Sequence, residues 1–400
     1  MKQALPILTA LALCCLSGCG SAAPREEAAP AAAVAAPAPE SDAEPTAALA
    51  PEPTPEPSPE ITVTPPPVPD FDLAAAKYPA ETTVLTVDGR SVDWESFFAA
   101  FRERAEYFYV YYGITDYSTP MDEDGETIGS WIVDQAVIDL RAMVMFEGWA
   151  EELGIGLTEE DEAEIEAEFR EYADRYYGGD ADAMFADLGY SEAYVRRKGA
   201  YSKLNDKLFS YFFGEEGAAL GAEDVLDYMT GHDYLYGKRI LLKTLTDAGD
   251  PLEQSVRDEK LALAEELLAT LRAVDSAELP KKFDELMREY SEDPNLERFP
   301  DGFYFTPGEI EAMSDTVSAL AEGELSEVVP CDYGYQIIYR PAMDPDHIFD
   351  ADEGGKPYTL RYFVAYTLFG NVCNERYDAQ TVEWNEDFAD LDISALFAAE

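Results

Sequence analysis

Phe283-Asp284-Glu285-Leu286-Met287-Arg288-Glu289-Tyr290-Ser291-Glu292-Asp293-Pro294 is the stretch on which the reading of this 400-residue chain turns. It reads as a helix that runs into a polar turn. Upstream, Tyr236-Gly237-Lys238-Arg239-Ile240-Leu241-Leu242 reads as a strand, and residues 251–273 as a helix carrying Leu252, Val256, Leu261, Leu263, Leu267 and Leu271. Downstream, Asp301-Gly302-Phe303-Tyr304-Phe305-Thr306-Pro307-Gly308 predicts a strand entering a third helix, with Pro307 near the first turn. Gly323-Glu324-Leu325-Ser326-Glu327-Val328-Val329 and Tyr333-Gly334-Tyr335-Gln336-Ile337-Ile338 close the segment. The order is strand, helix, helix, strand, helix, strand, strand.

The pieces FxxLxxxYSxD, FTxG, GExSxVV and YGYxII, in this order and spacing, resemble a parvulin-type (PpiC, or rotamase) peptidyl-prolyl isomerase domain. The resemblance covers residues 236–341 and implies a four-stranded antiparallel sheet with helices. It also implies chemistry without a nucleophile. An X–Pro amide rotates over a barrier of about 18–20 kcal/mol because its C–N bond is partly double. A catalyst grips the proline ring in an apolar cup and binds the twisted amide better than the planar one.

Carried across residue by residue, the family's central Cys or Asp falls on Asp293. The apolar positions that floor the proline pocket fall on Ile310 and Met313, with one residue fewer between them than usual, and Phe305 supports the cup. The family's two histidines are replaced, by Arg239 on the first strand and Gln336 on the last, and the Phe before the Gly-Glu turn is Ser318. Arg239, charged and forked, is expected to attract Asp293 as an ion pair. Gln336 can donate or accept a hydrogen bond but does not titrate near neutral pH. Asp293, Arg239 and Gln336 are therefore the candidate catalytic group of a partly eroded site, and Ile310, Met313 and Phe305 the candidate substrate-binding group. Asp293 has a plainer role open to it, ending its helix in a turn.

Working outward, residues 81–235 begin with Val84 to Val92, a strand, an Asp88-Gly89 turn and a second strand. Asp93 then caps a helix through Trp94, Phe97, Phe98 and Phe101. A long helix is expected over 130–153. Thr158 to Asp161 is a capping box, opening a helix with Ile165, Phe169, Tyr172 and Tyr176 on one stripe. Ser191 caps the next, and 221–229 add a short one. This succession resembles the N-terminal chaperone region of SurA-like and PrsA-type folding factors. Tyr107, Phe108, Tyr109, Tyr111 and Tyr112 are nearly contiguous, more than one helix face can bury. Packing between several helices and an exposed surface for unfolded chains both fit them. After a polar connection over 341–356, residues 358–377 read as a helix, 382–384 as a strand and 391–397 as a final apolar turn. Too small for a core of its own, the 342–400 segment is expected to complete the chaperone domain. The fold class is thus α+β: a mostly helical, SurA- and trigger-factor-like domain with an inserted parvulin domain.

At the start, Lys2, an apolar run to Leu16 and Leu16-Ser17-Gly18-Cys19 compose a secretory signal over 1–19. The run is too short to span a bilayer, which takes about 20 apolar residues. Its end resembles the lipobox of bacterial lipoproteins and implies lipidation at Cys19, with the protein extracytoplasmic at the outer face of the cell membrane. Residues 20–80, rich in Pro, Ala and Glu, are expected to be a disordered tether.

With 82 acidic against 28 basic residues, a formal charge of -54, the chain is unsuited to nucleic acid, whose phosphates need a basic surface. Two His and no CxxC or HExxH pattern argue against a metal site or cofactor. Cys331 and Cys373 lie in distant segments, and sequence does not decide whether they pair. The implied partners are unfolded or proline-containing secreted polypeptides, and a homodimer is compatible with the sequence. Two functions are in view: a foldase with reduced isomerase activity, and a non-catalytic holdase that uses the parvulin fold to bind peptide. A solute-binding lipoprotein would need two α/β lobes, which these elements do not supply.

Overall fold

The computed structural model describes residues 69–121, 125–352 and 354–397; the signal segment, Cys19 and most of the tether lie outside them. Strands β1 (Thr83–Val87) and β2 (Arg90–Asp93) form a hairpin. Its two turn residues, Asp88 and Gly89, both take left-handed backbone, φ 51° and 76°, as a two-residue turn matched to strand twist requires. Asp93 then ends the strand and caps α2 (Trp94–Tyr112), its carboxylate accepting from the Ser96 amide at 2.9 Å.

Helix α3 (Ile128–Leu153) starts two residues before the expected Ser130, because Thr127 and Ser130 cap each other reciprocally. In α4 (Glu159–Tyr177) the box is Thr158 with Asp161. A short α5 (Ala181–Leu188) follows, then α6 (Glu192–Phe213), capped by Ser191, and α7 (Ala222–Gly231).

Helices α2 to α6 share one apolar core with both ends of the described chain, whereas α7 buries Val225 and Met229 in a separate cluster with Leu360 and Val364. Strand β9 (Val382–Trp384) pairs antiparallel with β1 on the side away from β2. On α11 (Leu360–Asp378), Phe369 stacks on Trp149 of α3 with ring centres 5.8 Å apart. The final 3-10 turn (Ile393–Phe397) buries Ile393 and Leu396.

The structure departs from the sequence reading in further places, and α5 is itself an element that the reading did not contain. The stretch expected to be tether through residue 80 contains a helix, α1 (Phe71–Ala75). Phe71 is buried edge-on against Phe397, centres 5.3 Å apart, and the Trp94 indole N–H donates to the Ala75 carbonyl at 2.7 Å. Buried Phe71 and Ala74, a capped turn and the Asp72–Arg102 pair together order a segment whose composition reads as unfolded. The connection after residue 341 contains a hairpin of β7 (Ile348–Ala351) and β8 (Pro357–Thr359). The helix after Pro307 begins at Glu311, so Pro307 lies in the turn before it. Among the assigned stripe residues, Val256 and Tyr176 are exposed. The aromatic run divides: Tyr107, Tyr111 and Tyr112 are exposed, whereas Phe108 packs against the core and meets Trp131 at 5.6 Å.

The inserted segment runs β3 (Leu235–Lys243), α8 (Gln254–Arg272), α9 (Leu279–Tyr290), β4 (Phe303–Phe305), α10 (Glu311–Ala319), β5 (Val329–Cys331) and β6 (Gly334–Tyr339). Its four strands are antiparallel, in the order β4-β3-β6-β5. Ile240, Leu242, Ile337 and Tyr339 face α8 and α9, where Phe283 is fully buried. The opposite face carries the candidate site. An aromatic joint ties the insert to α11: Tyr236 stacks on Tyr304 at 4.2 Å, and Phe349 meets Tyr304 at 5.2 Å and Phe363 at 4.2 Å.

Candidate functional site

Register decides which side chains meet. Gly237 pairs with Phe303, Leu235 with Phe305, Arg239 with Ile338 and Leu241 with Gln336. Residues directly opposite in an antiparallel pair share a face, so Arg239, Gln336, Phe303 and Phe305 stand on one side of the sheet. Helix α10 covers part of that side with Met313 and Val317. It can lie so close only because position 237 is glycine: a Cβ there would come within 2.9 Å of Val317 Cγ2 and 3.0 Å of Met313 Cε.

Asp293 reaches this face from the end of α9. The 291–293 segment is pinned along β3, where β4 no longer pairs. The Glu292 amide donates to the Leu241 carbonyl at 2.7 Å, and the Leu241 amide to Ser291 Oγ at 3.1 Å. This sets Asp293 Oδ2 2.5 Å from Arg239 Nε, with the two side chains 2% and 8% exposed. The other carboxylate oxygen accepts from the Asn295 amide at 3.0 Å, so both oxygens are engaged. The guanidinium lies over the Phe303 ring, 5.5 Å from its centre.

Gln336 is completely buried, its Nε2 donating to the Ala312 carbonyl at 2.6 Å. Its Oε1 has no protein partner and is shut from solvent. The candidate apolar residues gather under α10: Met313 is 0% and Phe305 2% exposed, packed with Leu235, Phe303, Val317 and Ile338. Ile310, at the N-cap of α10, is half-buried at the edge of that cluster.

The structure thus brings Arg239 and Asp293 into contact and gathers Phe305, Met313 and Ile310 into one cluster. Gln336 shares their sheet face but is spent on α10. Phe303 links the halves, touching the guanidinium on one side and the apolar cluster on the other. Sequence reasoning passed over Phe303 and Ser291. The alternation Phe303-Tyr304-Phe305 on a strand next to Arg239 was the available signal for the first, because alternate residues share a face. Cys19 lies outside the described residues. Among the described residues no cluster of His, Cys, Asp and Glu could hold a metal ion. Cys331 and Cys373 are not joined to each other by a disulfide.

The insert is thus a small antiparallel sheet with helices on both faces, and Asp293 stands at the turn after α9. Residues 240–342 match the rotamase family model, described as the PPIC-type PPIase domain, so the insert is a PPIC-type domain within an α+β chain.

Three solved structures similar to this chain are PrsA proteins. PrsA from Bacillus subtilis is 18% identical, with 70% of this chain and 98% of that chain covered, at a TM-score of 0.24. Peptidylprolyl isomerase (PrsA) from Bacillus cereus is 18% identical, covering 65% and 85%, at 0.23. Foldase protein PrsA from Streptococcus pneumoniae is 14% identical, covering 65% and 92%, at 0.23. No curated protein matches the chain.

Proposed function

We propose that the chain is an extracytoplasmic folding factor, anchored through Cys19 at the outer face of the cell membrane. It acts on unfolded, proline-containing secreted polypeptides, and its PPIC-type domain isomerises X–Pro bonds only slowly. The buried Arg239–Asp293 ion pair carries this reading. Acceleration requires groups that bind the twisted amide better than the planar one. A carboxylate already bonded through both oxygens, and a glutamine whose Nε2 is committed to a helix carbonyl and whose Oε1 is shut from solvent, have little left to offer as the bond rotates. Phe305 and Met313 are packed by their neighbours, which leaves half-buried Ile310 as the accessible apolar contact for a proline ring. Among the described residues no helix is long and apolar enough to cross a membrane, in keeping with attachment by lipid.

A protease-coupled proline-peptide assay on the mature chain tests the proposal. The expected result is a small acceleration over the uncatalysed rate that disappears in Asp293→Ala and rises in Arg239→His with Gln336→His. No acceleration by wild type or by the double variant, with aggregation of an unfolded client still suppressed, would favour the non-catalytic holdase. The packed state of Phe305 and Met313 supports that second reading. Replacing Cys19 by Ser is expected to release the protein into the medium.

A further inference from the structure

The helical body holds a separate concavity, remote in sequence from the PPIC-type insert. Helices α2 to α6 surround about 250 Å3 of space, with Met143, Tyr172, Met184, Leu188 and Val195 among its walls. Protein interiors pack like organic crystals and contain few voids larger than a water molecule. An apolar cavity of about 150 Å3 stays dry and takes up benzene. A larger one suits an apolar group of one or two rings, the bulk of a large side chain. Two methionines in the walls let it adapt to different shapes.

Charge narrows the occupant. The lining has four carboxylates, Glu103, Asp139, Glu168 and Glu171, against two cations, Arg175 and Lys198. Asp139 is itself paired with Arg104 of α2 at 2.6 Å, which leaves the rim of α4 to set the charge. Both cations are engaged: Lys198 Nζ donates to the two Glu103 oxygens at 2.9 and 2.7 Å, and Arg175 to Glu171 at 2.5 Å. An anionic amphiphile would find no open counter-ion there, and the chain's charge of -54 repels it at longer range. The exposed members, Glu168, Glu171 and Arg175, all project from α4 and form the rim. Glu168 lies 3.8 Å from Lys203, whose closer partner is Glu164 at 2.7 Å. Its side chain is half exposed, open to a further cation. An apolar side chain with Lys or Arg beside it answers both the walls and the rim.

We infer that this cavity is a client-binding site that takes one large apolar side chain of an unfolded polypeptide with basic neighbours, independently of proline. The inference rests on the folding-factor reading and adds a substrate preference to it.

Two fluorescent, proline-free peptides test it on the mature chain: Lys-Lys-Phe-Leu-Lys-Lys and Glu-Glu-Phe-Leu-Glu-Glu, with neutral N-phenylnaphthylamine as a third probe. The lysine peptide should bind at least tenfold tighter than the glutamate one at low salt, with the gap narrowing as salt screens the rim. Val195→Phe, which fills the cavity, should weaken lysine-peptide binding at least fivefold. The double rim variant Glu168→Lys with Glu171→Lys leaves the apolar walls alone and should remove the preference for lysine even if the filled variant does not fold. Lysine-peptide binding unchanged in every folded variant would overturn the site. So would saturable binding of the neutral probe alone, which would mark a small-molecule cavity. Aggregation assays separate the two levels. If Val195→Phe folds and protects a client as well as wild type, the site fails and the folding factor stands. Cavity-dependent peptide binding with neither client protection nor isomerase activity would instead preserve the site and remove the folding-factor reading.

Discussion

At the scale of single residues, the candidate site holds one buried ion pair, Arg239 with Asp293. Removing one partner of a buried pair leaves the other charge uncompensated and costs about 3–5 kcal/mol, whereas an apolar pair of similar volume is often neutral or better. Asp293→Ala is therefore expected to destabilise the protein by about 3 kcal/mol or more, read by urea denaturation. Arg239→Met with Asp293→Leu should recover most of that loss, and failure to recover would mean that the pair also holds the 291–293 turn. A second prediction concerns Asp161. The Lys207 ammonium at 2.8 Å, helped by the Thr158 amide and hydroxyl, lowers its carboxyl to about 2. An ordinary Asp titrates near ~3.9. With the folded value depressed, the stabilisation is present above the unfolded value and disappears as pH falls through about 2. The melting difference between wild type and Asp161→Asn should accordingly be full at pH 6, shrink below pH ~4 and vanish below pH ~2. A difference that persists at the acid end would place the effect outside the carboxylate's charge.

At the scale of elements, local signals and packing divide the work. The caps at Asp93, Thr158 and Ser191 were legible because each bond joins a side chain to an amide three residues on, and nothing distant is needed. Pro307 misled for the converse reason: where α10 starts depends on its seat on the sheet, not on its own first residues. That seat is narrow at Gly237. Gly237→Val is expected to lift α10 off β3 and cost roughly 1–3 kcal/mol or more, as overpacking does. It should raise the exposure of Phe305 and Met313, measurable as increased dye binding and faster amide exchange over 303–319. Unchanged exchange there would show that the helix shifts without opening the cluster.

At the scale of the whole molecule, the two ends of the described chain fold together. Strand β9 lies on β1, and α1 packs beneath the last turn, with Asp72 Oδ1 2.8 Å from Arg102 Nη1. A fragment beginning at residue 80 would lose Phe71, the Ala75 carbonyl that accepts from Trp94, and one partner of largely buried Arg102. It is expected to melt several degrees below a fragment beginning at 69, since ~1 kcal/mol moves the midpoint of a domain this size by roughly 2–4 °C. Equal melting would make α1 an adornment of the core. By itself the sequence determined the capped long helices, the β1–β2 hairpin, the α+β class and the PPIC-type segment, because caps, periodicity and turn residues act over a few neighbours. Only the tertiary structure decided that residues 71–75 fold, that Gln336 is spent on a helix carbonyl, and that Phe305 and Met313 are closed over by α10. Those outcomes depend on how closely surfaces far apart in the chain can pack, a property that no local pattern encodes.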